Sequence, residues 1–169
     1  SYWVTFFMDF LPENIQKYIS DNSQSESLIL KELNRYTNSK VILPRMLSGH
    51  VQGRFLSMIS KLVNPEIIVE VGTYTGYSCL CLAEGLKKNG KIITIEKNEE
   101  FASIAKKFFD RSKYKEKISF SDFSEQIIEL IDELKIDQIH LVGFSIGSLI
   151  ARNFATRFGE RLKSLTLLG

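Results

Sequence analysis

Apolar residues recur along the chain with two different periods, and the two patterns alternate from residue 67 onward. Short runs rich in β-branched residues predict buried strands, at 67–71, 91–96, 118–121, 136–142 and 162–168. Between them, apolar residues three and four positions apart predict helices, at 80–86, 99–109, 123–134 and 146–158. The same spacing predicts three N-terminal helices, at 9–19, 26–36 and 52–62. This alternation indicates an α/β fold with a doubly wound, mostly parallel five-stranded sheet.

The stretch from Ile67 to Ser78 is the centre of this prediction. Its strand ends at Gly72, and Gly76 follows just before the next helical pattern. Glycine at the first position permits a tight turn or a positive φ, and glycine at the second permits close approach of the backbone. A strand, a glycine-bearing turn and a helix bring backbone amides to a nucleotide-like ligand in doubly wound sheets.

Two acidic residues support a ligand site at this turn. Glu70 lies inside the apolar strand, where a carboxylate is costly to bury unless it is hydrogen-bonded or paired. Glu96 ends the next strand, about twenty residues past the first glycine, where such folds place an acid on ribose hydroxyls. The pattern leaves open a plainer alternative, which is a βαβ unit with an incidental glycine turn and two surface acids.

Composition narrows the functional classes. The chain has 169 residues, the size of a single domain, of which 44% are hydrophobic and 25% charged. Its net charge of +2 is too small to indicate a nucleic-acid or membrane partner, so a small-molecule substrate is expected. No stretch is apolar for long enough to span a membrane. Cys79 and Cys81, the only cysteines, are expected to be buried thiols in a reducing, cytoplasmic compartment.

Several separate motifs in the first two thirds of the chain carry a family resemblance. They are Met46-Leu-Ser48, Gln52-Gly-Arg-Phe-Leu56, Glu70-Val-Gly-Thr-Tyr-Thr-Gly-Tyr-Ser78 and Ile95-Glu96. Together they resemble the caffeoyl-CoA/catechol-type O-methyltransferases, which are S-adenosylmethionine-dependent enzymes with a Rossmann-like fold. The resemblance covers roughly residues 8–117 and implies the strand order 3-2-1-4-5.

The resemblance implies a cofactor role for the residues of the glycine turn. Glu70, Gly72 and Ser78 would contact the methionine half of S-adenosylmethionine, and Glu96 would bind its ribose hydroxyls. The other residues of the turn expected at the cofactor are Tyr74, Thr75 and Gly76. An acid suits this ligand because its sulfonium and ammonium groups are cationic.

Further along the chain, the resemblance is incomplete. The loop from Met46 to Ser48 would close over the cofactor. Asp122 would reach the adenine. In the turn that contacts the adenine, however, Phe123-Ser-Glu125 replaces the small residues of the family. The family also holds a divalent cation through an Asp-Ala-Asp-Lys run after the fourth strand. The equivalent stretch here is Val142-Gly-Phe-Ser145, so no metal ligand is expected and catalysis would be weak or absent.

The last third of the chain, roughly residues 120–169, resembles a different family. Gly143-Phe-Ser-Ile-Gly147 follows an apolar strand and opens a helix, which is the context of an α/β-hydrolase nucleophile elbow. By that resemblance Ser145 would be the catalytic nucleophile, as in a serine esterase. No histidine follows it in the chain, and His140 and His50 precede it.

These two resemblances make the chain look like a chimera that is joined near 117–122 within a single α/β domain covering 1–169. The leading hypothesis is an S-adenosylmethionine-binding O-methyltransferase-like domain. The alternatives are a serine hydrolase and a non-catalytic chimeric fragment. In the last case the final strand at 162–168 would leave an edge open to pairing, so a homodimer is an additional expectation.

Overall fold

The structure is a computed structural model that describes residues 12–120, 127–144 and 146–168. Its helices are α1 Glu13–Asn22, α2 Leu28–Lys40, α3 Gly49–Val63, α4 Tyr77–Ala83, α5 Glu99–Arg111, α6 Ile127–Glu133 and α7 Ile146–Phe158. Its strands are β1 Ile67–Val71, β2 Lys91–Ile95, β3 Ile118–Phe120, β4 Ile139–Phe144 and β5 Leu162–Leu168. Every predicted strand is therefore present, and the α/β class is confirmed.

The strands form two parallel sheets that lie side by side. Strands β1, β2 and β3 pair in that order, with Glu70 of β1 in register with Thr94 of β2. Strands β4 and β5 pair separately, with a register irregularity between Ile139 and His140. Strand β4 contacts β1, but the described residues form no hydrogen-bonded ladder between them. The pairings agree with the predicted order 3-2-1-4-5, whereas the single continuous sheet is interrupted between β1 and β4.

Hydrophobic layers cover both faces of the strands. The first layer joins α2, α3, α4 and α5 to the three-stranded sheet, around the almost fully buried Leu33, Tyr77 and Ile92. The second layer joins α6 and α7 to strands of both sheets, around Ile131 and Leu141. Burial on both faces explains why the strands are continuous apolar runs rather than alternating ones. Across the described ranges, no helix combines the length and apolar character needed to cross a bilayer.

Two helix boundaries beside the glycine turn differ from those that periodicity predicted. Helix α2 continues to Lys40, beyond the predicted end at residue 36, and the hydroxyl of the fully buried Thr37 in its last turns lies 3.0 Å from that of Thr75. Helix α3 begins at Gly49 rather than residue 52, after a short 3₁₀ turn over Pro44–Met46. Both changes lie beside the glycine turn, so the N-terminal helices help to shape the predicted site.

Helix α3 packs against α4 with very little space between their backbones. A Cβ atom placed on Gly85, just after α4, would lie 2.1 Å from the carbonyl carbon of Ser60. The Ser60 hydroxyl donates to the Leu82 carbonyl at 2.6 Å. The Arg54 guanidinium donates two hydrogen bonds to the Glu84 carboxylate, at 2.8 and 3.1 Å. This contact fixes the helix that follows the glycine turn.

Replacement of Gly85 by alanine tests this packing. Because the obstructing atoms belong to the α3 backbone, we expect Gly85→Ala to lower the free energy of unfolding by about 1–3 kcal/mol, as overpacking does. Gly159→Ala is the matched control, since nothing lies within 4 Å of a Cβ there. Urea unfolding of both variants provides the measurement. Equal stabilities for the two variants would show that α3 and α4 are not held this closely.

Candidate binding site

A cavity of about 740 Å³ lies in the seam between the two sheets. One wall is formed by the carboxyl end of β1 and the turn that follows it, together with Glu96 after β2. Other walls come from α3, β4 and α7. The volume suits a small-molecule ligand. One end of the cavity thus lies beyond the carboxyl ends of parallel strands, where open α/β sheets bind ligands.

Seven of the residues predicted to bind cofactor line this cavity. They are Met46, Ser48, Glu70, Gly72, Tyr74, Ser78 and Glu96. Three of the predicted residues cannot be placed in this way. Thr75 and Gly76 are not among the lining residues, and Asp122 lies outside the described part of the chain together with residues 123–125. Ser145, the nucleophile of the hydrolase alternative, is also outside it.

The turn after β1 depends on left-handed backbone conformations. Gly72 and Gly76 have φ values of +93° and +92°, which glycine adopts without steric cost, and Tyr74 has a φ of +50°. A Cβ atom on Gly76 would also lie 2.5 Å from the Phe109 ring. Thr75 is fully buried against α2. Gly76 and Thr75 therefore shape the turn from behind, while Gly72 and Tyr74 face the cavity.

Glu70, the carboxylate that the sequence pattern singled out, is half-buried at the wall of the cavity. The Ser78 hydroxyl donates to its Oε1 at 2.6 Å, and the Thr94 hydroxyl donates to its Oε2 at 2.7 Å. Burial raises the pKa of Glu70, the hydroxyl hydrogen bonds act in the opposite direction, and the charge of Glu96 raises it further. Since the Ser78 proton is committed to Glu70, the Ser78 oxygen is left as an acceptor for a cationic ligand.

Glu96 is held by backbone amides at the end of β2. The Tyr74 N–H donates to its Oε2 at 2.7 Å, and the Asn98 N–H donates to its Oε1 at 2.9 Å. The Asn98 side chain in turn caps α5 by accepting from the Glu100 and Phe101 amides. Each carboxylate oxygen keeps a lone pair for a ligand hydroxyl. The site therefore presents two fixed carboxylates to one cavity.

An aromatic pair extends the site toward the segment before α3. Tyr74 and Phe101 pack edge to face with their ring centroids 4.8 Å apart. The Tyr74 hydroxyl donates to the carbonyls of Ile42 and Leu43, at 2.8 and 3.3 Å. Phe101 also lines the cavity, as does Gln52 of α3. Sequence reasoning missed both as site residues, although Phe101 follows an Asn98 helix cap and Gln52 lies in a motif already quoted.

The two histidines have different surroundings. His140 of β4 lines the cavity, and its Nδ1 lies 2.7 Å from the Ser164 hydroxyl oxygen on β5. Burial lowers its pKa, and the nearby Lys163 charge acts in the same direction, so the ring is neutral near pH 7. His50 instead places its Nε2 2.8 Å from the Gln24 carbonyl oxygen and is not among the cavity-lining residues.

The donor set of the described residues does not fit a divalent cation. Within residues 12–120, 127–144 and 146–168, no three His, Cys, Asp or Glu side chains lie together in a way that would hold a metal ion. At the carboxyl end of β4, Val142 and Gly143 line the cavity, and neither carries a carboxylate.

Comparisons with known proteins agree on one family. A sequence profile of the O-methyltransferase family matches residues 20–146. A catechol O-methyltransferase of Niastella koreensis is 33% identical over 101 residues, which cover 59% of this chain and 45% of that protein. A putative caffeoyl-CoA O-methyltransferase of Arabidopsis thaliana is 29% identical over 160 residues, which cover 93% of this chain and 67% of that protein.

Solved structures show the same fold. An O-methyltransferase from Bacillus cereus in complex with SAH aligns with a TM-score of 0.66 at 22% identity, over 88% of this chain and 66% of that one. An SAH-bound methyltransferase of Podospora anserina aligns with a TM-score of 0.72 at 19% identity, over 91% and 66%. The chain spans about half to two thirds of the length of these relatives.

The family match bears on the predicted join between two unrelated halves. The matched range, residues 20–146, runs through the expected join at 117–122 and past β4. None of these comparisons shows a hydrolase segment, so the fusion stays a prediction.

The raised pKa of Glu70 has a consequence for stability. Because the folded chain holds this proton more tightly than the unfolded chain, stability should fall as the pH rises above about 4.3, the usual glutamate pKa, until Glu70 ionises in both states. Glu70→Gln removes this titration, so we expect a flatter profile of unfolding free energy against pH. The slope lost is at most about 1.4 kcal/mol per pH unit. Urea unfolding at a series of pH values measures it.

Glu66→Gln is the matched control for this titration. Glu66 is exposed, and its hydrogen bond from Lys87, at 2.8 Å, lowers its pKa. The stabilising contribution of ionised Glu66 therefore grows as the pH rises. This change is opposite in sign to that of Glu70 and occurs at lower pH. A Glu70→Gln profile parallel to that of the wild type would show that burial does not raise the pKa of Glu70.

Proposed function

The chain belongs to the O-methyltransferase family, and we propose that the cavity between its two sheets is an S-adenosylmethionine site. The observation that carries the proposal is the pair of fixed carboxylates, Glu70 and Glu96, at the ends of adjacent strands and on one cavity. Two anionic groups at one end of a small-molecule cavity suit a ligand that is cationic and carries vicinal hydroxyls.

Each side chain at this end of the cavity has a distinct task in the proposal. Glu70 supplies negative charge toward the methionine half, and the Ser78 oxygen accepts from the ligand ammonium group. Glu96 accepts hydrogen bonds from the ribose hydroxyls, while the Tyr74 and Phe101 rings provide apolar contact. Met46 and Ser48 border the ligand from the segment before α3. When bound, S-adenosylmethionine supplies a methyl group activated by its sulfonium.

Methyl transfer by this chain alone is proposed to be weak or absent. The residues described at the end of β4 offer no carboxylate to hold a cation against an acceptor hydroxyl. A neutral hydroxyl without such a partner is a poor nucleophile. Because the chain spans only part of the length of its relatives, we assign it cofactor binding and leave the methyl acceptor unassigned.

Calorimetry with S-adenosylmethionine tests the proposal. We expect a dissociation constant near the micromolar range, about −8 kcal/mol. Glu96→Ala should weaken binding roughly 10- to 100-fold, because it removes a charged acceptor. Glu116→Ala is the control, since this carboxylate is highly exposed and lies elsewhere on the surface. Wild-type affinity in Glu96→Ala would contradict the assignment of the ribose end.

A serine hydrolase is the second candidate, favoured by one observation. Strand β4 ends at Phe144 and α7 begins at Ile146, which is the strand-turn-helix context of a nucleophile elbow. We expect the folded chain to resist labelling by a fluorophosphonate probe, because no histidine follows Ser145 to act as its base. If the wild-type chain is labelled and Ser145→Ala is not, the hydrolase becomes the preferred function over cofactor binding. If the folded chain shows neither cofactor binding nor labelling, the non-catalytic fragment is favoured.

A further inference from the structure

Thr94 is a fully buried polar residue in the middle of the three-stranded sheet, next to the candidate site. It faces Glu70 across the β1–β2 ladder, where the two residues are in register. Its hydroxyl lies between two groups, the Glu70 carboxylate, 2.7 Å away, and the Thr73 hydroxyl, with which it makes a short contact. Thr94 does not line the cavity, whereas Glu70 and Thr73 do.

The direction of these hydrogen bonds follows from the number of protons available. A hydroxyl has a single proton to donate, and that of Thr94 goes to the Glu70 carboxylate. At the Thr73–Thr94 contact, Thr73 must therefore be the donor. Ser78 donates to the other oxygen of Glu70. The Ser78 and Thr94 protons thus point toward Glu70, and the Thr73 proton points toward Thr94, an arrangement that favours the ionised form of Glu70.

We infer that Thr94 is a positioning residue, which favours the charged form of Glu70, orients its carboxylate and ties the Thr73 turn to the same point. The inference rests on the proposed function, since it concerns how S-adenosylmethionine would be held. Thr94 acts through Glu70 rather than through contact with the ligand. The backbone supports the same link, because the Gly72 and Thr73 amides donate to the Ile95 carbonyl, at 2.9 and 3.3 Å.

Several ionisable groups surround Glu70, and its strongest hydrogen-bond donors are hydroxyls. The Cys79 thiol of α4 lies against the carboxyl, and the charge of Glu96 opposes its ionisation. Arg45 and His140 line the same cavity. Ser78 and Thr94 are the hydroxyl donors to the Glu70 oxygens, and the Cys79 thiol adds a weaker hydrogen bond. Loss of the Thr94 proton should therefore raise the pKa of Glu70 above its value in the wild type.

The test compares two substitutions at Thr94 across a range of pH. Thr94→Val keeps the shape and removes the hydroxyl, whereas Thr94→Ser keeps the hydroxyl and removes the methyl group. For Thr94→Val we expect S-adenosylmethionine binding to weaken about tenfold near neutral pH, since a hydrogen bond to a charge is lost. We also expect the pH at which affinity reaches its plateau to move upward. Thr94→Ser should restore both readouts.

Thr37→Val is the matched control, because Thr37 is also fully buried and shares a hydroxyl contact, at 3.0 Å with Thr75. It should lose stability without moving the pH profile of binding. A wild-type profile in Thr94→Val would overturn the inference. So would a weakening of equal size at every pH, which is what a merely structural role produces.

A measurement without cofactor separates this inference from the proposed function. In the free protein, Thr94→Val should extend upward the pH range over which stability falls as Glu70 ionises. If the folded wild-type chain binds no S-adenosylmethionine at any pH, the proposed function fails, and with it the link to cofactor. The dependence of Thr94→Val stability on pH still decides whether Thr94 influences the charge of Glu70. If this dependence matches that of the wild type, Thr94 does not influence that charge.

Discussion

A carboxylate inside an apolar strand is the constraint on which the site depends. Burial of Glu70 without partners would cost several kcal/mol, so the fold must deliver donors to it from elsewhere. Thr94 of β2 and Ser78 of α4 supply these donors, and each hydroxyl oxygen lies within 2.7 Å of a Glu70 carboxylate oxygen. These two contacts join the strand, its neighbour and the next helix around one charge. The glycine turn lies between them, and its shape therefore depends on the same network.

The sequence indicated that Glu70 needs hydrogen-bond donors, but it did not indicate which residues supply them. Glu70 stood out because a charge interrupts Ile67–Val71, and Glu96 because it ends the next strand. Ser78 was expected at the cofactor, yet its proton is used within the protein, and Thr94 was not singled out. A strand pattern gives no register, and only the pairing of Glu70 with Thr94 brings those side chains together. Local periodicity likewise could not predict the contact between Thr37, near the end of α2, and the distant Thr75.

The α/β class was the easier part of the prediction, because methyltransferases and hydrolases share an alternation of strands and helices. That shared pattern is also why the last third of the chain could be interpreted in two ways. The interruption between β1 and β4 has no counterpart in hydrophobic patterning, since both strands are apolar on both faces. It determines where the cavity lies. The site thus lies where the predicted single sheet divides into two.

Tyr74 connects two parts of the molecule that are far apart in the chain. Its amide holds Glu96, and its hydroxyl holds the carbonyls of Ile42 and Leu43 just before the 3₁₀ turn. The order of that segment and the orientation of the carboxylate are therefore linked through one residue. By thermodynamic reciprocity, whatever stabilises either arrangement favours the other. A ligand that engages Glu96 would thereby tighten a stretch of chain it need not touch.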